Sequence, residues 1–281
     1  MTSIYHKVFP NRITGVLGIV YIVALLWWIE IFLTGARDTQ QNYLFGVLIG
    51  VLPLFGGIGG LILSSKWGTL SSAIGRSIFF LSLGLITWSL GTLIFAYYNL
   101  VLLVEVPYPS LADAAYIISW PLWVVGVINL SKGTGAKFGL RSSRGKVLLF
   151  AAPLIAIVVS YYLLVVVARG GVFDFTESGV VKIFFDLAYP IGDVVILTVA
   201  TLIYGLSFRY FGGQFKIPIY IILAGFILNY LSDFSFSYTT TLETFYVASW
   251  VDLLFLSTMF FLALGVNSLD AKMLSMGDKI S

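Results

Sequence analysis

Eight stretches of roughly twenty mostly apolar residues run through this chain, and they leave it few folds. They lie at about 13–34, 42–64, 76–99, 111–131, 146–168, 182–206, 217–238 and 244–266. Twenty residues of helix cross the hydrocarbon core of a bilayer. No water reaches a backbone amide there, so each segment must satisfy its own N–H and C=O groups, and it does so as a helix. Charged residues make up 10% of the 281 positions, against roughly 25% in soluble domains. That is too little polar surface to cover the chain in water. The predicted fold class is all-α: a polytopic membrane helix bundle of about eight transmembrane helices.

The basic residues predict its orientation. Loops on the cytoplasmic side collect Lys and Arg. With the N-terminus inside, only Arg37, Arg169 and Lys182 of the 16 basic residues fall outside. Lys132, Lys137, Arg141, Arg144 and Lys146 crowd one inner loop. Both ends are therefore expected in the cytoplasm, and the protein in the plasma (inner) membrane. The same topology puts every acid except Asp270 and Asp278 in outer loops or outer span halves. Lys7 and Arg12 precede the first run, which is too long for a signal peptide, and Thr34-Gly35-Ala36 matches a cleavage site poorly. It reads as an uncleaved first helix.

Several chemistries are excluded. Without cysteine there is no disulfide, thiolate metal site or cysteine nucleophile. The single histidine, His6, precedes the first run, so the bundle holds no His-based metal site and no Ser–His–Asp triad. Lys182 and Lys216 sit at span ends, which argues against a retinal Schiff base. Gly133–Gly135 and Gly212–Gly213 read as turns, since neither matches a phosphate loop. The net charge of +3 fits topology and contact with anionic lipid, not nucleic acid.

The spacing hints at an internal repeat. Asp113-Ala-Ala-Tyr116-Ile-Ile-Ser119-Trp120 opens the fourth run, and Glu243-Thr-Phe-Tyr246-Val-Ala-Ser249-Trp250 opens the eighth. The preceding runs align loosely through Gly84 and Gly225, and the second and sixth each carry a proline, Pro53 and Pro190. Four spans per half would make the copies parallel. The division is then 1–131, a basic loop 132–145, a second half 146–266 and a tail 267–281. Ser110-Leu-Ala-Asp113 and Thr240-Thr-Leu-Glu243 both read as capping boxes. Tyr116, Trp120 and Tyr246 read as interfacial aromatics, and Trp27, Trp28 and Trp67 as interfacial anchors. Gly46/Gly50 and Gly56/Gly60 form Gly-xxx-Gly pairs suited to close packing within the monomer.

Capping does not explain Glu30, Asp186, Asp193, Asp233 and Asp252. A carboxylate in hydrocarbon costs about 2.5–3.5 kcal/mol on insertion scales, so these acids belong inside the bundle, in a watery cavity or at the interface. Asp186 and Asp193 share one helix face, as do Asn229 and Asp233. Pro190 leaves the Asp186 carbonyl without its helical donor. We expect an outward-opening pocket weighted to the C-terminal half. Asp186, Asp193, Asn229, Asp233 and Asp252 would line it, with Tyr189, Tyr230 and Trp250 as aromatic walls. It would suit a cation or a cationic small ligand. The alternative is a structural hydrogen-bond network between helices.

Three stretches carry a resemblance. They are Pro107-Tyr-Pro-Ser-Leu-Ala-Asp113-Ala-Ala-Tyr116, Asp186-Leu-Ala-Tyr-Pro190-Ile-Gly-Asp193 and the Asp233-to-Asp252 region. Together they resemble the multi-spanning N-terminal membrane regions that precede diguanylate cyclase (GGDEF) and phosphodiesterase (EAL) domains in bacteria. The resemblance implies a sensory role. Only the tail 267–281 follows the last run, so no output domain is expected here, and signalling would pass to a separate cytoplasmic protein partner. The first expectation is therefore a stand-alone sensory or ligand-binding module in the lipid bilayer. The others are a small transporter for a cation or cationic solute, and a membrane scaffold or assembly subunit. An enzyme is disfavoured, because carboxylates alone, without a nucleophile or metal set, offer little beyond acid–base work.

Overall fold

The computed structural model describes residues 8–104, 106–107, 110–133 and 215–270. Between the last two ranges it describes 147, 151, 154–155, 157–159, 161–167, 192, 194, 196 and 198. Among these residues six helices are long and apolar enough to cross a membrane. They are α1 (Arg12–Thr34), α2 (Gln40–Ser65), α3 (Ala73–Tyr97), α4 (Leu111–Gly133), α5 (Lys216–Thr241) and α6 (Trp250–Asn267). These are the make-up of a multi-pass membrane protein. The fifth predicted span is described only in part, with a π-helical turn at Tyr162–Val167, and the sixth falls largely outside the described residues.

Local chemistry sets the helix ends. Asn11 caps α1 by accepting the Thr14 N–H at 3.0 Å, and Gly35 ends that helix in the left-handed region at φ 65°. The Ser72 hydroxyl caps α3 on the Gly75 N–H at 2.9 Å. α3 finishes in one π-helical turn, Tyr98–Leu102, and the chain then leaves through Leu103 at φ 53°.

α6 is the central helix. Twelve of its 18 residues are buried, against five of 23 in α1, whose Ile19, Ile22, Val23, Leu26 and Leu33 stay exposed as lipid would require. α6 packs on α1, α2, α3 and α5. Glycine permits these close crossings. A Cβ at Gly56 would strike the Cβ of Ala263, and one at Gly57 would come 2.9 Å from the Ser82 carbonyl oxygen. The Gly-xxx-Gly residues thus pack within the monomer, Gly46 against Val247 and Gly50 against Leu93.

Two helix pairs interlock in the same manner. On α3 and α4, the Trp123 indole covers Gly84 and Leu81 covers Gly126. On α5 and α6, Leu262 covers Gly225 and Ile222 covers Gly265. Each pair presents one glycine per helix to a bulky side chain of its neighbour.

At the end holding the C-terminus of α6, polar groups tie three segments together. Asn11 Nδ2 donates to the Asn267 carbonyl at 2.8 Å and to Asp270 Oδ2 at 3.1 Å. Asn267 Nδ2 donates to the Gly56 and Ala263 carbonyls, both at 2.8 Å. Trp67 Nε1 donates to the Leu269 carbonyl at 2.8 Å. Trp67 is thus held by protein. Trp28 is too: its Nε1 reaches the Ala248 and Ser249 carbonyls at 3.1 Å, while Trp27 packs edge-on against Phe45.

The start of the eighth predicted span needs correction. α5 runs through Thr240 to Thr241, and Glu243 lies in the following turn at φ 56°. Thr240 and Glu243 therefore form no capping box. Tyr246 lies in the connecting segment, and Trp250 is the first residue of α6. Hydroxyl back-bonds from Thr239 to Ser235 and from Thr241 to Ser237 accompany the last turn of α5. Ser249 is the N-cap residue of α6, and Asp252 accepts the Ala248 N–H at 2.6 Å. In α4, Asp113 accepts the Ser110 N–H at 2.7 Å, and Ser110 Oγ accepts the Ala112 N–H at 3.2 Å. Ser110-Leu-Ala-Asp113 and Ser249-Trp-Val-Asp252 thus both stand at helix starts, whereas Thr240-Thr-Leu-Glu243 stands at a helix end.

Candidate functional site: an acidic, aromatic cavity

The opposite end of the bundle, where α1, α3 and α5 finish and α2, α4 and α6 begin, holds a cavity of about 900 Å³. Ligand pockets span about 300–1,000 Å³. All helices but α1 contribute to its lining, with the connections around them.

A row of rings forms one wall. Trp88 of α3 lies 5.5 Å from Tyr116 of α4 and 5.7 Å from Phe255 of α6, centroid to centroid. Phe255 continues to Phe236 of α5 at 6.2 Å, and Phe236 to Phe245 at 4.9 Å. All five line the cavity. Tyr116 is fixed there because its hydroxyl donates to Thr92 Oγ1 at 3.2 Å and its ring fills the space over Gly91. Trp88, Thr92 and Ala96 recur every fourth residue, so one stripe of α3 faces the cavity.

Five carboxylates join the lining: Asp38, Asp113, Asp233, Glu243 and Asp252. Asp113, Asp233 and Asp252 are buried and come from three different helices. Each is held by hydrogen bonds. Asp113 accepts from Ser110, Asp252 from Ala248, and Asp233 from Asn229 Nδ2 at 2.9 Å. Asp38 and Glu243 belong to the connecting segments and are exposed. Among the described residues no Lys or Arg lines the cavity.

The mouth is built from unusual backbone. Five non-glycine residues among those described have positive φ, and Asp38, Leu103 and Glu243 of them line the cavity, with Ala248 beside it. Such conformations cost about 1–3 kcal/mol each and persist where surrounding contacts hold them. Asn42 supplies two of those contacts: its Nδ2 donates to the Ala36 carbonyl at 3.0 Å and to the Val247 carbonyl at 2.9 Å, clasping the α1–α2 and α5–α6 connections. The Arg37 guanidinium lies 4.5 Å over the Tyr246 ring.

The sequence placed this site only in part. Asp233 and Asp252 line the cavity as expected. Asp186, Asp193 and Tyr189 lie outside the described residues. Asn229 is buried one turn from Asp233 and acts on it through its hydrogen bond. Tyr230 is half-buried and outside the lining, and Trp250 is 47% exposed, so neither is a wall. Among the described residues the lining is shared by both halves, since α2, α3 and α4 supply Tyr43, Trp88, Thr92, Asp113, Tyr116 and Trp120. Tyr116 and Trp120 line the cavity, and Trp120 also packs on Gly192. Asp113 both starts its helix and faces the cavity. Glu30 is exposed on α1. Trp88, Phe236 and Phe255 carry no signal in the sequence, because an aromatic in an apolar run adds no charge.

The charges of the bundle are polarised. Among the described residues, Arg12, Lys66, Arg76, Lys132 and Lys216 stand at the end opposite the cavity, and only Arg37 stands at the cavity end. Asp270 is the one described acid at the basic end. Comparison with known proteins returns no matching family model, no matching curated protein and no matching solved structure.

Proposed function

We propose that this protein is a multi-pass membrane module that binds a cationic small ligand in an outward-facing cavity. The single observation behind this is the cavity itself, ligand-sized and lined by carboxylates and rings with no basic residue among those described. The charge polarisation supports an orientation with the cavity outside and the basic end in the cytoplasm. Counting the two runs at 146–168 and 182–206, that orientation gives eight spans and cytoplasmic termini. The matching Gly84/Gly126 and Gly225/Gly265 crossings, with the paired Ser-x-x-Asp helix starts, support a parallel four-plus-four repeat.

A sensory role fits better than transport. Below Trp88 the core holds buried Leu85, Leu81, Trp123 and Phe226, and among the described residues no acid stands between the cavity and Asp270 at the other end. This agrees with the resemblance to bacterial membrane sensor regions. The bound state would pass through α6, whose first turn carries Asp252 and whose last residues join the Asn11 and Trp67 cluster. A cytoplasmic partner would meet the basic end and the Lys132–Lys146 loop.

A thermal-shift screen of the solubilised protein tests this. The probes are Na⁺, K⁺, Mg²⁺, Ca²⁺ and simple alkylamines, each beside an Asp233→Asn variant. A ligand at about one hundred times its Kd stabilises by about 2.7 kcal/mol. The wild type should gain several degrees in Tm with at least one probe, and Asp233→Asn should lose most of that gain while staying folded. Stabilisation by none of them, with a less stable variant, would leave the acids as interhelical hydrogen-bonding groups and favour a scaffold role.

A further inference from the structure

The geometry of the cavity goes beyond a preference for positive charge, and it separates two kinds of cation. A divalent metal asks for several oxygens converging at about 2.0–2.6 Å. Among the described residues no three Asp, Glu or His side chains are grouped in that way. The three buried carboxylates sit on different helices, and each is already fixed by hydrogen bonds to its own neighbourhood. They supply a negative field from several sides and not a chelate.

The ring wall supplies what an organic cation needs. A quaternary ammonium head has no N–H to hydrate and is attracted to the faces of Trp, Tyr and Phe, most strongly to Trp. Trp88 stands between Tyr116 and Phe255, within 6 Å of both, and all three line the cavity. The molecule already makes such a contact at the mouth, where the Arg37 guanidinium lies over the face of Tyr246, itself a lining residue. A volume of about 900 Å³ has room for an apolar body as well as a head.

We propose that the cavity takes an organic ammonium ion with an apolar body, its head on the Trp88–Tyr116–Phe255 ring wall within the field of Asp113, Asp233 and Asp252. This rests on the cationic-ligand reading above and names the chemical class.

The test is titration of the full chain with the tetramethyl-, tetraethyl- and tetrapropylammonium ions, followed by calorimetry and tryptophan fluorescence. The detergent is a maltoside, which carries no ammonium head. Ca²⁺, Mg²⁺ and a neutral tert-butyl alcohol isostere run in parallel at matched ionic strength. Affinity should rise along the ammonium series and exceed that of the neutral isostere by about tenfold or more. Trp88→Phe keeps a ring and should weaken binding about two- to fivefold, and Trp88→Leu by about tenfold or more, in line with the size of cation–π contacts. If Trp88→Leu fails to fold, the Trp88→Phe step and the isostere comparison still decide. Saturable binding of Ca²⁺ or Mg²⁺ without ammonium binding would overturn the ligand class and leave the cationic cavity standing. Equal affinity for the neutral isostere would overturn the role of charge altogether. No binding by any probe to a folded protein would overturn both readings.

Discussion

Trp123→Ala should destabilise the bundle by about 3–5 kcal/mol, the usual loss for a buried aromatic truncated to alanine. The indole is 1% exposed. It covers Gly84 on α3 and meets Phe226 of α5 edge-on, at 5.8 Å and 72°. Its removal leaves a cavity where three helices meet, and glycine has no side chain with which to fill it. Leu262 covers Gly225 in the corresponding place on α6. Trp123→Leu should therefore lose no more than about half as much, since leucine serves at that kind of crossing and volume is partly kept. Reversible unfolding in mixed detergent measures both. Equal losses for the two variants would show that the indole does more than fill the crossing.

The second large effect concerns α2 and α6. Gly56→Ala should cost about 2–3 kcal/mol, at the upper end for added bulk in a packed core. The new Cβ would meet the Ala263 Cβ, with the Ala263 Cα 3.3 Å away, so relief requires the helices to separate. Separation also breaks the bond from Asn267 Nδ2 to the Gly56 carbonyl, which lies in the same crossing. Ala263→Gly, introduced into the Gly56→Ala chain, removes the colliding methyl and should return more than half of the loss. Non-additivity of this kind is expected only of residues in contact. Simple addition of the two single effects would disprove the crossing.

Those two positions illustrate what could be read from the residues in order. The apolar runs located α1 to α5 to within a few residues, because hydrophobic length is a strong constraint in lipid. The Gly-xxx-Gly spacing pointed to close packing, but not to Ala263 as its partner. The start of α6 was misread because two Thr/Ser-x-x-acid patterns, Thr240 to Glu243 and Ser249 to Asp252, stand within thirteen residues. Either satisfies the local rule, and the choice depends on how far α5 continues.

The cavity was legible through its acids and illegible through its walls. Asp233 and Asp252 drew attention because charge in hydrocarbon is costly. Trp88, Phe236 and Phe255 cost nothing there, and their convergence is a property of three helices packed together. Asp113 has a sufficient local reason to exist as a cap, which hid its second position on the cavity lining.

The central claim is a negatively charged cavity open to the outside, and the absence of native cysteine allows it to be tested with one introduced thiol. Ser237 lines the cavity and is half-buried, and only its backbone carbonyl is engaged by Thr241. The measurement is the reaction rate of Ser237→Cys in intact cells at low salt. The reagents are a trimethylammonium methanethiosulfonate and its sulfonate counterpart, each normalised to its rate with a free thiol. An acidic cleft concentrates the cation and repels the anion, so the cationic reagent should react about ten times faster or more. The excess should shrink as salt screens the field. Equal rates, faster reaction of the anion, or labelling only after the membrane is broken would contradict the account.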